Sequence, residues 1–265
     1  MLARLYIRKD NLIMRRKKNK RYKKVILNII IYMILIFVLI YSGIKIFKWY
    51  KDKTNNNKIA EQIKSTVIVE DKNEDENKEE YTVDFNKLKE QNNETVAWIK
   101  VNNTNVEYPV VRATNNSFYL NHSFDKSNNS AGWIFADYRN KFDNTDKNVV
   151  IYGHNMRDGS MFGSMLNILN AKWYENEENT NITLYTENEK CIYKVFSVYK
   201  IKNEDYYIKT EFKNDNEFEG FIKSLKKRSI KDFNVDVSKD DNILTLSTCA
   251  NNNKYRVVLH SKKIK

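Results

Sequence analysis

A single cysteine stands at the end of a strand-forming run, seven residues before an arginine. The run ends in Thr245-Leu246-Ser247-Thr248-Cys249 and enters the Asn-rich turn Ala250–Asn253, after which the strand-forming run Tyr255–His260 carries Arg256 near its start. A strand end on a rigid scaffold suits a nucleophile, and the five N–H donors of a guanidinium suit an oxyanion. The segment therefore predicts a Cys249 nucleophile beside a stabilising Arg256. The alternative is a free cysteine buried in the core at a strand end.

A catalytic thiol needs a base, because an ordinary thiol is mostly protonated at neutral pH. The sequence has three histidines. His154 follows the apolar run Val149–Tyr152 in a Gly-His-Asn turn, which is a loop position typical of functional groups. We interpret His122 as a surface residue of a polar loop and His260 as a hydrogen-bonded histidine within the last strand. On placement, His154 is the candidate base.

The charge distribution and the scattered ligand residues exclude several classes of function. Residues 1–24 hold 11 Lys or Arg and one acid, and so carry +10 of the net charge of +12. The rest of the chain is nearly neutral and has no basic footprint for nucleic acid. Three histidines and two cysteines without ligand spacing argue against a zinc site, and no Gly-rich phosphate loop is present. We expect neither a metal nor another cofactor.

A membrane anchor is predicted directly after the basic tail. Val25–Ile44 is twenty residues long without a charged side chain, which as a helix spans roughly 30 Å, the thickness of a bilayer core. A buried core helix and a cleavable signal peptide are the alternatives, but the run exceeds the roughly 7–15 residues of a signal peptide and no small-x-small site follows it. Basic residues stay in the cytoplasm. The prediction is a single-pass type II protein of the cell membrane with an extracellular body.

Four segments follow from this organisation. Residues 1–24 are a cytoplasmic tail, 25–47 the transmembrane anchor, 48–80 an extracellular stalk, and 81–265 the folded body. Lys51–Glu80 is read as the stalk because its Lys, Asn, Asp and Glu leave little apolar surface to offset the entropy of ordering, although Lys58–Val69 has the composition for a helical turn or two.

The two cysteines would lie outside the cytoplasm, where thiols tend to pair. A Cys191–Cys249 disulfide is one possibility, although two cysteines without framework spacing say little about pairing. A thiol kept free in an oxidising place favours a chemical role for Cys249. Cys191 is interpreted as a strand-packing thiol.

The body reads as mainly β with helical additions. Asp84 precedes a short capped helix with Phe85 and Leu88 on one face, and two further helical patterns cover Ser160–Asn170 and Glu217–Lys227. About eight short β-rich runs are separated by Asn/Asp turns. The predicted strands are Val96–Val101, Val106–Arg112, Trp133–Phe135, Val149–Tyr152, Ile182–Tyr185, Cys191–Ile201, Ile243–Thr248 and Tyr255–His260. Many short strands with few helices predict a closed or nearly closed β-barrel.

These residues resemble a known family. Thr245–Cys249 resembles the TLxTC signature of sortases, and Tyr152-Gly153-His154, Cys249 and Arg256 follow the chain order His, Cys, Arg that sortases use. Residues 81–265 resemble class B sortases in particular, and Glu217–Lys227 is similar to the extra helix that class B places before its nucleophile strand. Further similar stretches are Tyr108–Val111, Asn115–Leu120, Phe135–Asn140 and Tyr152–Met156. The resemblance implies a closed eight-stranded sortase barrel with N-terminal helices.

The resemblance also implies an activity. Sortases of Gram-positive bacteria are membrane-anchored cysteine transpeptidases that cut a C-terminal sorting signal of secreted proteins. By carry-over, Cys249 forms a thioester, His154 is the general acid and base, and Arg256 holds the substrate backbone and stabilises the oxyanion. The acceptor would be an amine of a peptidoglycan precursor or of a pilin lysine. Positions similar to those lining the class B substrate groove are Asn116, Leu120, Ser247, Tyr207 and Ile208.

Two other functions use the same sequence features. A tethered cysteine peptidase would resolve the thioester with water and would need the same Cys249 and His154. A non-enzymatic extracellular interaction module would leave Cys249 without a chemical role.

The sequence departs from class B at one position: members commonly place an acidic residue just after the cysteine, whereas Ala250–Asn253 carries none.

Overall fold

The computed structural model describes residues 2–72, 79–250 and 254–265, with side chains described at 14, 20–66, 82–248 and 254–265. The chain divides into two compact units, residues 1–51 and 52–265. The first unit is helical and belongs to the long helix α1, Leu2–Val67. The second unit contains the end of α1 and every strand among the described residues.

Helix α1 includes the predicted membrane span. Among the described residues, one helix, Lys20–Thr66, is long and apolar enough to cross a membrane by length and composition. All large apolar side chains between Val25 and Tyr50 are exposed in the isolated chain. Helix α1 is therefore a candidate membrane-spanning helix by length and composition.

The structure differs from the expected stalk in residues 51–67, which are helical. Asp52, Asn56 and Ile63 recur at intervals of four and seven residues, which places them on one face of the helix, and all three are buried in the second unit. The sequence analysis missed this packed face because two of its three buried residues, Asp52 and Asn56, are polar, and the prediction of a stalk was based on the low apolar content. Strands β1, Ile68–Lys72, and β2, Glu79–Val83, then pair antiparallel. Residues 73–78 of the predicted stalk lie outside the described residues.

Eight further strands close into a barrel, as predicted. Their order around it is β10-β8-β7-β3-β4-β5-β6-β9. The bounds are β3 Thr95–Val101, β4 Glu107–Val111, β5 Phe135–Ala136, β6 Asn148–Gly153, β7 Asn181–Tyr185, β8 Lys190–Lys202, β9 Ile243–Ala250 and β10 Tyr255–Lys263. Each matches a predicted strand, although β5 begins two residues later than expected. The mainly β fold class with helical additions is confirmed.

Strand β9 explains why this part of the sequence is so apolar. It lies between β6 and β10, and its residues Ile243, Leu244, Thr245 and Leu246 are all fully buried. A strand buried on both faces reads as a continuous apolar run instead of an alternating one. The main core on one side of it includes the fully buried indoles of Trp98 and Trp133.

Helices cover the barrel at several points. Helix α2, Phe85–Gln91, starts at Asp84, whose side chain accepts a hydrogen bond from the Lys87 N–H at 3.1 Å, as the capping pattern predicts. Helix α3 is Ala171–Tyr174, and α4, Asp215–Arg228, is capped by Asn214. Helix α4 buries Phe218, Ile222 and Leu225 in a second core cluster, so the predicted helix is confirmed. Short 3₁₀ turns cover Phe118–Leu120, Gly163–Leu169, Glu177–Thr180 and Tyr206–Ile208.

The predicted helix Ser160–Asn170 is wrong in its type and start. The segment forms a 3₁₀ turn that begins at Gly163. Met161 has φ +51°, a left-handed backbone that a right-handed helix cannot include. Met165 and Ile168 are buried three residues apart, which suits the three-residue turn of a 3₁₀ helix as well as it suits an α-helix.

Candidate active site

Three strand ends meet at one edge of the barrel. Strands β6 and β9 are parallel neighbours, with Gly153 opposite Thr248, so both end at this edge. Strand β10 pairs antiparallel with β9 and begins there, with Arg256 directly opposite Cys249. The backbone of Cys249 therefore lies beside that of Arg256. Cys249 directly follows Thr248, which is the partner of Gly153. The side chain of Cys249 lies outside the described residues, and its role as nucleophile stays a prediction.

A groove of about 270 Å³ opens at this edge. We call it the site groove. It is lined by residues from the ends of β6, β9 and β10, from the segment around the 3₁₀ turn Phe118–Leu120, and from residues 203–208. All seven predicted site residues whose side chains are described line it: Asn116, Leu120, His154, Tyr207, Ile208, Ser247 and Arg256. The resemblance to class B sortases implied the five substrate-lining members of this set, and the fold brings all seven residues to one groove.

The His154 imidazole is oriented by a backbone carbonyl. Its Nε2 lies 2.8 Å from the Leu120 carbonyl oxygen. A carbonyl oxygen only accepts hydrogen bonds, so Nε2 is the protonated nitrogen and Nδ1 is the one that can accept a proton. The hydrogen bond fixes both the tautomer and the ring plane of the candidate base.

Gly132 lies against the same imidazole. It has φ +58°, and a Cβ at this position would lie 2.5 Å from the Tyr119 carbonyl oxygen and 2.8 Å from His154 Cδ2. Only a residue without a side chain allows this close approach with this backbone. Sequence reasoning missed Gly132, although a glycine is a notable signal in a chain that contains only six.

Arg256 is half-buried at the start of β10 and lines the site groove. Its Nη1 donates to the Tyr255 carbonyl oxygen at 3.2 Å. Arg256 thus lines the same groove as His154. A guanidinium is a suitable group to stabilise a developing negative charge.

A buried carboxylate ties the walls of the site groove together. Asp137 accepts hydrogen bonds from Arg139 Nε at 2.8 Å and Nη2 at 2.7 Å, from the Tyr152 hydroxyl at 2.8 Å, and from Asn116 Nδ2 at 2.9 Å. Arg139 Nη2 also donates to the Ile208 carbonyl oxygen at 2.9 Å. The Asp137–Arg139 ion pair is thus hydrogen-bonded to three residues that line the site groove. They are the predicted residues Asn116 and Ile208, and Tyr152. Sequence reasoning quoted this stretch but gave neither Asp137 nor Arg139 a role.

The charge of Asp137 is stabilised in place. Burial by itself raises the pKa of this carboxyl, but the hydrogen bonds from Arg139, Tyr152 and Asn116 outweigh burial and hold the pKa below its usual range. Burial, together with the Asp137 charge, raises the pKa of the Tyr152 hydroxyl. Asp137 is therefore a permanent acceptor at neutral pH, and Tyr152 a permanent donor.

Tyr207 and Ser247 contact each other in the lining of the site groove. Both are buried, and the Tyr207 hydroxyl lies 2.9 Å from Ser247 Oγ. Asn148 Nδ2 donates to the Lys209 carbonyl oxygen at 2.8 Å, which fixes the chain just after the 3₁₀ turn Tyr206–Ile208. These contacts attach residues 207–209 to β6 and β9.

His260 is part of a buried hydrogen-bonded chain. Its Nε2 accepts from the Tyr199 hydroxyl at 2.9 Å, and its Nδ1 donates to Thr245 Oγ1 at 2.8 Å, because the Thr245 proton goes to Asn148 Oδ1 at 2.7 Å. Burial lowers the pKa of His260 to about 3. The residue is neutral and fully satisfied, in agreement with its interpretation as a structural strand histidine.

The remaining candidates lie elsewhere. His122 does not line the site groove; it is half-buried, stacked on Phe118 at 4.0 Å between ring centroids, and hydrogen-bonded to the Phe118 carbonyl oxygen at 2.7 Å. Cys191 is a free, buried thiol near the start of β8. Burial raises its pKa, which suits a packing role. Strand β10 runs from beside Cys249 to beside the start of β8, so the two cysteines lie toward opposite ends of the barrel.

Comparison with known proteins gives the same result from several directions. The family described as the sortase domain matches residues 99–264. The chain is 32% identical to sortase B of Listeria monocytogenes over 235 residues, which cover 88% of this chain and 94% of the relative. The structure of sortase B from Bacillus anthracis matches with a TM-score of 0.71 at 32% identity, over 82% of this chain and 99% of that one. Sortase B of Clostridium perfringens matches with a TM-score of 0.65 at 36% identity, over 69% and 100%.

Proposed function

Because this chain belongs to the sortase family, as a class B member and a cysteine transpeptidase, we propose that it anchors secreted proteins to the cell wall from the membrane surface. In this proposal it cleaves a C-terminal sorting signal and transfers the new acyl end to an amine. The observation that carries the assignment of residues is the site groove, which His154 and Arg256 line together beside strand β9, which has Cys249 as its last residue but one.

The first half-reaction cleaves the signal. His154 first takes the thiol proton of Cys249 on Nδ1, and the resulting thiolate sulfur attacks the carbonyl carbon of the scissile peptide bond to form a tetrahedral intermediate. The carbon–nitrogen bond then breaks, and the leaving amine takes a proton from His154. The acyl group stays on Cys249 as a thioester. Positioned acid–base catalysis of this kind typically contributes about 10²–10⁴ in rate.

The second half-reaction makes a new amide. An incoming amine attacks the thioester carbon while His154 takes its proton, and the carbon–sulfur bond breaks to return the Cys249 thiolate. The thiolate takes this proton back from His154, so the proton transfers cancel and the cycle exchanges one amide bond for another. We propose an amine of a peptidoglycan precursor or of a pilin lysine as the acceptor.

Arg256 is proposed to stabilise the oxyanion of both intermediates and to hold substrate backbone carbonyls. A planar guanidinium presents several donors in a fixed arrangement, and one oxyanion donor is typically worth about 10²–10³ in rate. Asn116, Leu120, Tyr207, Ile208 and Ser247 are proposed to contact the sorting signal, since they line the same groove.

A membrane topology completes the proposal. Residues 1–24 would stay in the cytoplasm, 25–47 would cross the membrane once, and the barrel would face the wall. The support is the long apolar helix and the 11 basic residues before it. Protease treatment of intact cells tests the orientation: an epitope at the C-terminus is expected to be lost and one at the N-terminus to survive. The reverse result would overturn the topology.

The activity is tested with the full chain in lipid bilayers and a library of sorting-signal peptides. Cleavage is expected to need Cys249 and His154, and an added amine is expected to appear covalently joined to the new C-terminus. Two acceptors separate the proposed classes: a short glycine peptide, and an acetyl-lysine amide with a free side-chain amine. Cleavage that releases only a free carboxylate, whatever amine is present, would instead identify a peptidase that uses water. Full function of Cys249→Ala would favour the interaction module.

A further inference from the structure

Asn56, a buried residue of α1, contacts the loop that follows Leu120, the residue whose carbonyl oxygen orients the His154 imidazole. Asn56 is 1% exposed. Its Nδ2 donates to the Gly132 carbonyl oxygen at 2.7 Å, and its Oδ1 accepts from Ser123 Oγ at 2.6 Å and from Asn129 Nδ2 at 2.8 Å. We call these four residues the Asn56 cluster. All of its side chains are buried, so its hydrogen bonds are protected from competition with water.

The Asn56 cluster is one step from the catalytic imidazole. Gly132 packs against His154 so closely that an added Cβ would lie 2.8 Å from Cδ2 of the ring. The same Cβ would lie 2.9 Å from the Leu120 carbonyl oxygen, which is the hydrogen-bond acceptor of His154. Trp133, the next residue, is joined to the Tyr119 carbonyl by its backbone N–H at 2.9 Å. The space beside Gly132 is thus occupied by the imidazole and by its acceptor, so a displacement of Gly132 changes the packing around both.

We propose that Asn56 is a positioning residue for His154, acting through the Gly132 carbonyl, and that the part of α1 after the predicted membrane span thereby completes the active site. This inference rests on the proposed role of His154 as acid and base. The amide N–H of Asn56 holds Gly132, and Gly132 holds the imidazole at the Leu120 carbonyl in its Nε2–H form. A displacement of a reacting group by about 1 Å can lower the reaction rate by about a hundredfold.

Asn56→Asp isolates the contact that matters. The aspartate keeps the size of the side chain and an oxygen for Ser123 and Asn129, but it has no N–H to donate to Gly132. Asn56→Ala removes the donor without adding a charge and serves if the aspartate variant does not fold. Ser130→Ala is the matched control: Ser130 Oγ donates to Asp52 Oδ2 at 2.7 Å, so this contact also joins α1 to the same loop but does not involve Gly132.

The first measurement does not depend on activity. Magic-angle-spinning NMR of the full chain in bilayers, with ¹⁵N-labelled histidine and at alkaline pH, reports which nitrogen of each neutral imidazole carries the proton. We expect His154 as Nε2–H and His260 as Nδ1–H in the wild type and in Ser130→Ala. In Asn56→Asp, His154 is expected to become a mixture of tautomers while His260 stays unchanged. His154→Gln assigns the signal.

The second measurement is the division between kcat and KM with a sorting-signal peptide. Asn56 does not line the site groove, so the Asn56 variants should lower kcat by roughly tenfold or more with KM within about twofold. Ser130→Ala should change neither. The inference would be overturned if the Asn56→Asp variant had the same His154 tautomer and the same kcat as the wild type. If the wild type itself transfers no peptide, the proposed function fails, whereas the NMR result still decides whether Asn56 positions the ring.

Discussion

Arg256 and Cys249 are direct partners across the antiparallel pair β9–β10. Opposite residues in such a pair have Cα atoms roughly 4.5–5.5 Å apart. Strand β9 also lies beside β6, and His154 directly follows the end of β6, so the three candidate residues lie on or next to three adjacent strands. The site therefore depends on the strand pairing that makes β6, β9 and β10 neighbours in the barrel.

Arg256→Lys should impair catalysis severely. A lysine keeps the charge but replaces a planar fork by a point charge, so oxyanion stabilisation is expected to fall by about 10²–10³ in kcat/KM. Steady-state transpeptidation kinetics measure this loss. Arg157→Lys is the matched control, because Arg157 is exposed three residues after His154, and its rate should stay within about twofold. A near-normal rate for Arg256→Lys would reduce Arg256 to a charge-balancing role.

Gly132→Ala should lose both activity and stability. Its Cβ would lie 2.5 Å from a backbone oxygen in a left-handed conformation, so the loop must move away from His154. We expect kcat to fall by roughly tenfold or more and the melting temperature to drop. Gly220→Ala is the control: this glycine is inside α4 with nothing within 4 Å of an added Cβ, so the exchange should stabilise the helix by about 0.5–1 kcal/mol. Equal effects of the two exchanges would contradict the close approach.

Asp137→Asn should weaken the walls of the site groove. The exchange leaves Arg139 without its bidentate partner at a site where the carboxylate is fully buried, and we expect a loss of about 3 kcal/mol in the free energy of unfolding. KM for the sorting peptide should rise, because Asn116 and Ile208 both depend on this pair. Glu187→Gln breaks the exposed pair with Lys89 and should cost at most about 1 kcal/mol. A loss this small for Asp137→Asn would show that the pair is not structural.

Stability should fall with acidity because of His260. The unfolded chain protonates this histidine below pH 6.5, whereas the folded chain keeps it neutral down to about 3. Between these values the unfolded state binds one more proton, so the free energy of unfolding should drop by about 1.4 kcal/mol for each unit of decreasing pH. Chemical denaturation between pH 6 and 4.5 measures the slope. His260→Asn should flatten it, and His122→Asn should keep it; equal slopes in all three proteins would contradict burial of a neutral imidazole.

Local patterns were enough for most of the fold. The eight barrel strands, α2 with its Asp84 cap and α4 with its buried stripe follow from residues near one another in the chain, because propensity, capping and alternation act over a few positions. The segment Gly163–Leu169 escaped this reading. Its buried residues Met165 and Ile168 are three positions apart, which fits both an α-helix and a 3₁₀ helix. The left-handed backbone of Met161 excludes the α-helix at that residue, and this conformation is a result of packing.

The order of His154, Cys249 and Arg256 along the chain, together with the apolar span before them, was fixed by the sequence alone and was enough to indicate the chemistry. Only the tertiary structure brought His154 and Arg256 to one groove, joined Asp137 to its walls and buried Asn56 beneath Gly132. The physical reason is range. Asn56 and Gly132 are 76 residues apart, and a hydrogen bond between an amide and a distant carbonyl leaves no periodic trace in either segment.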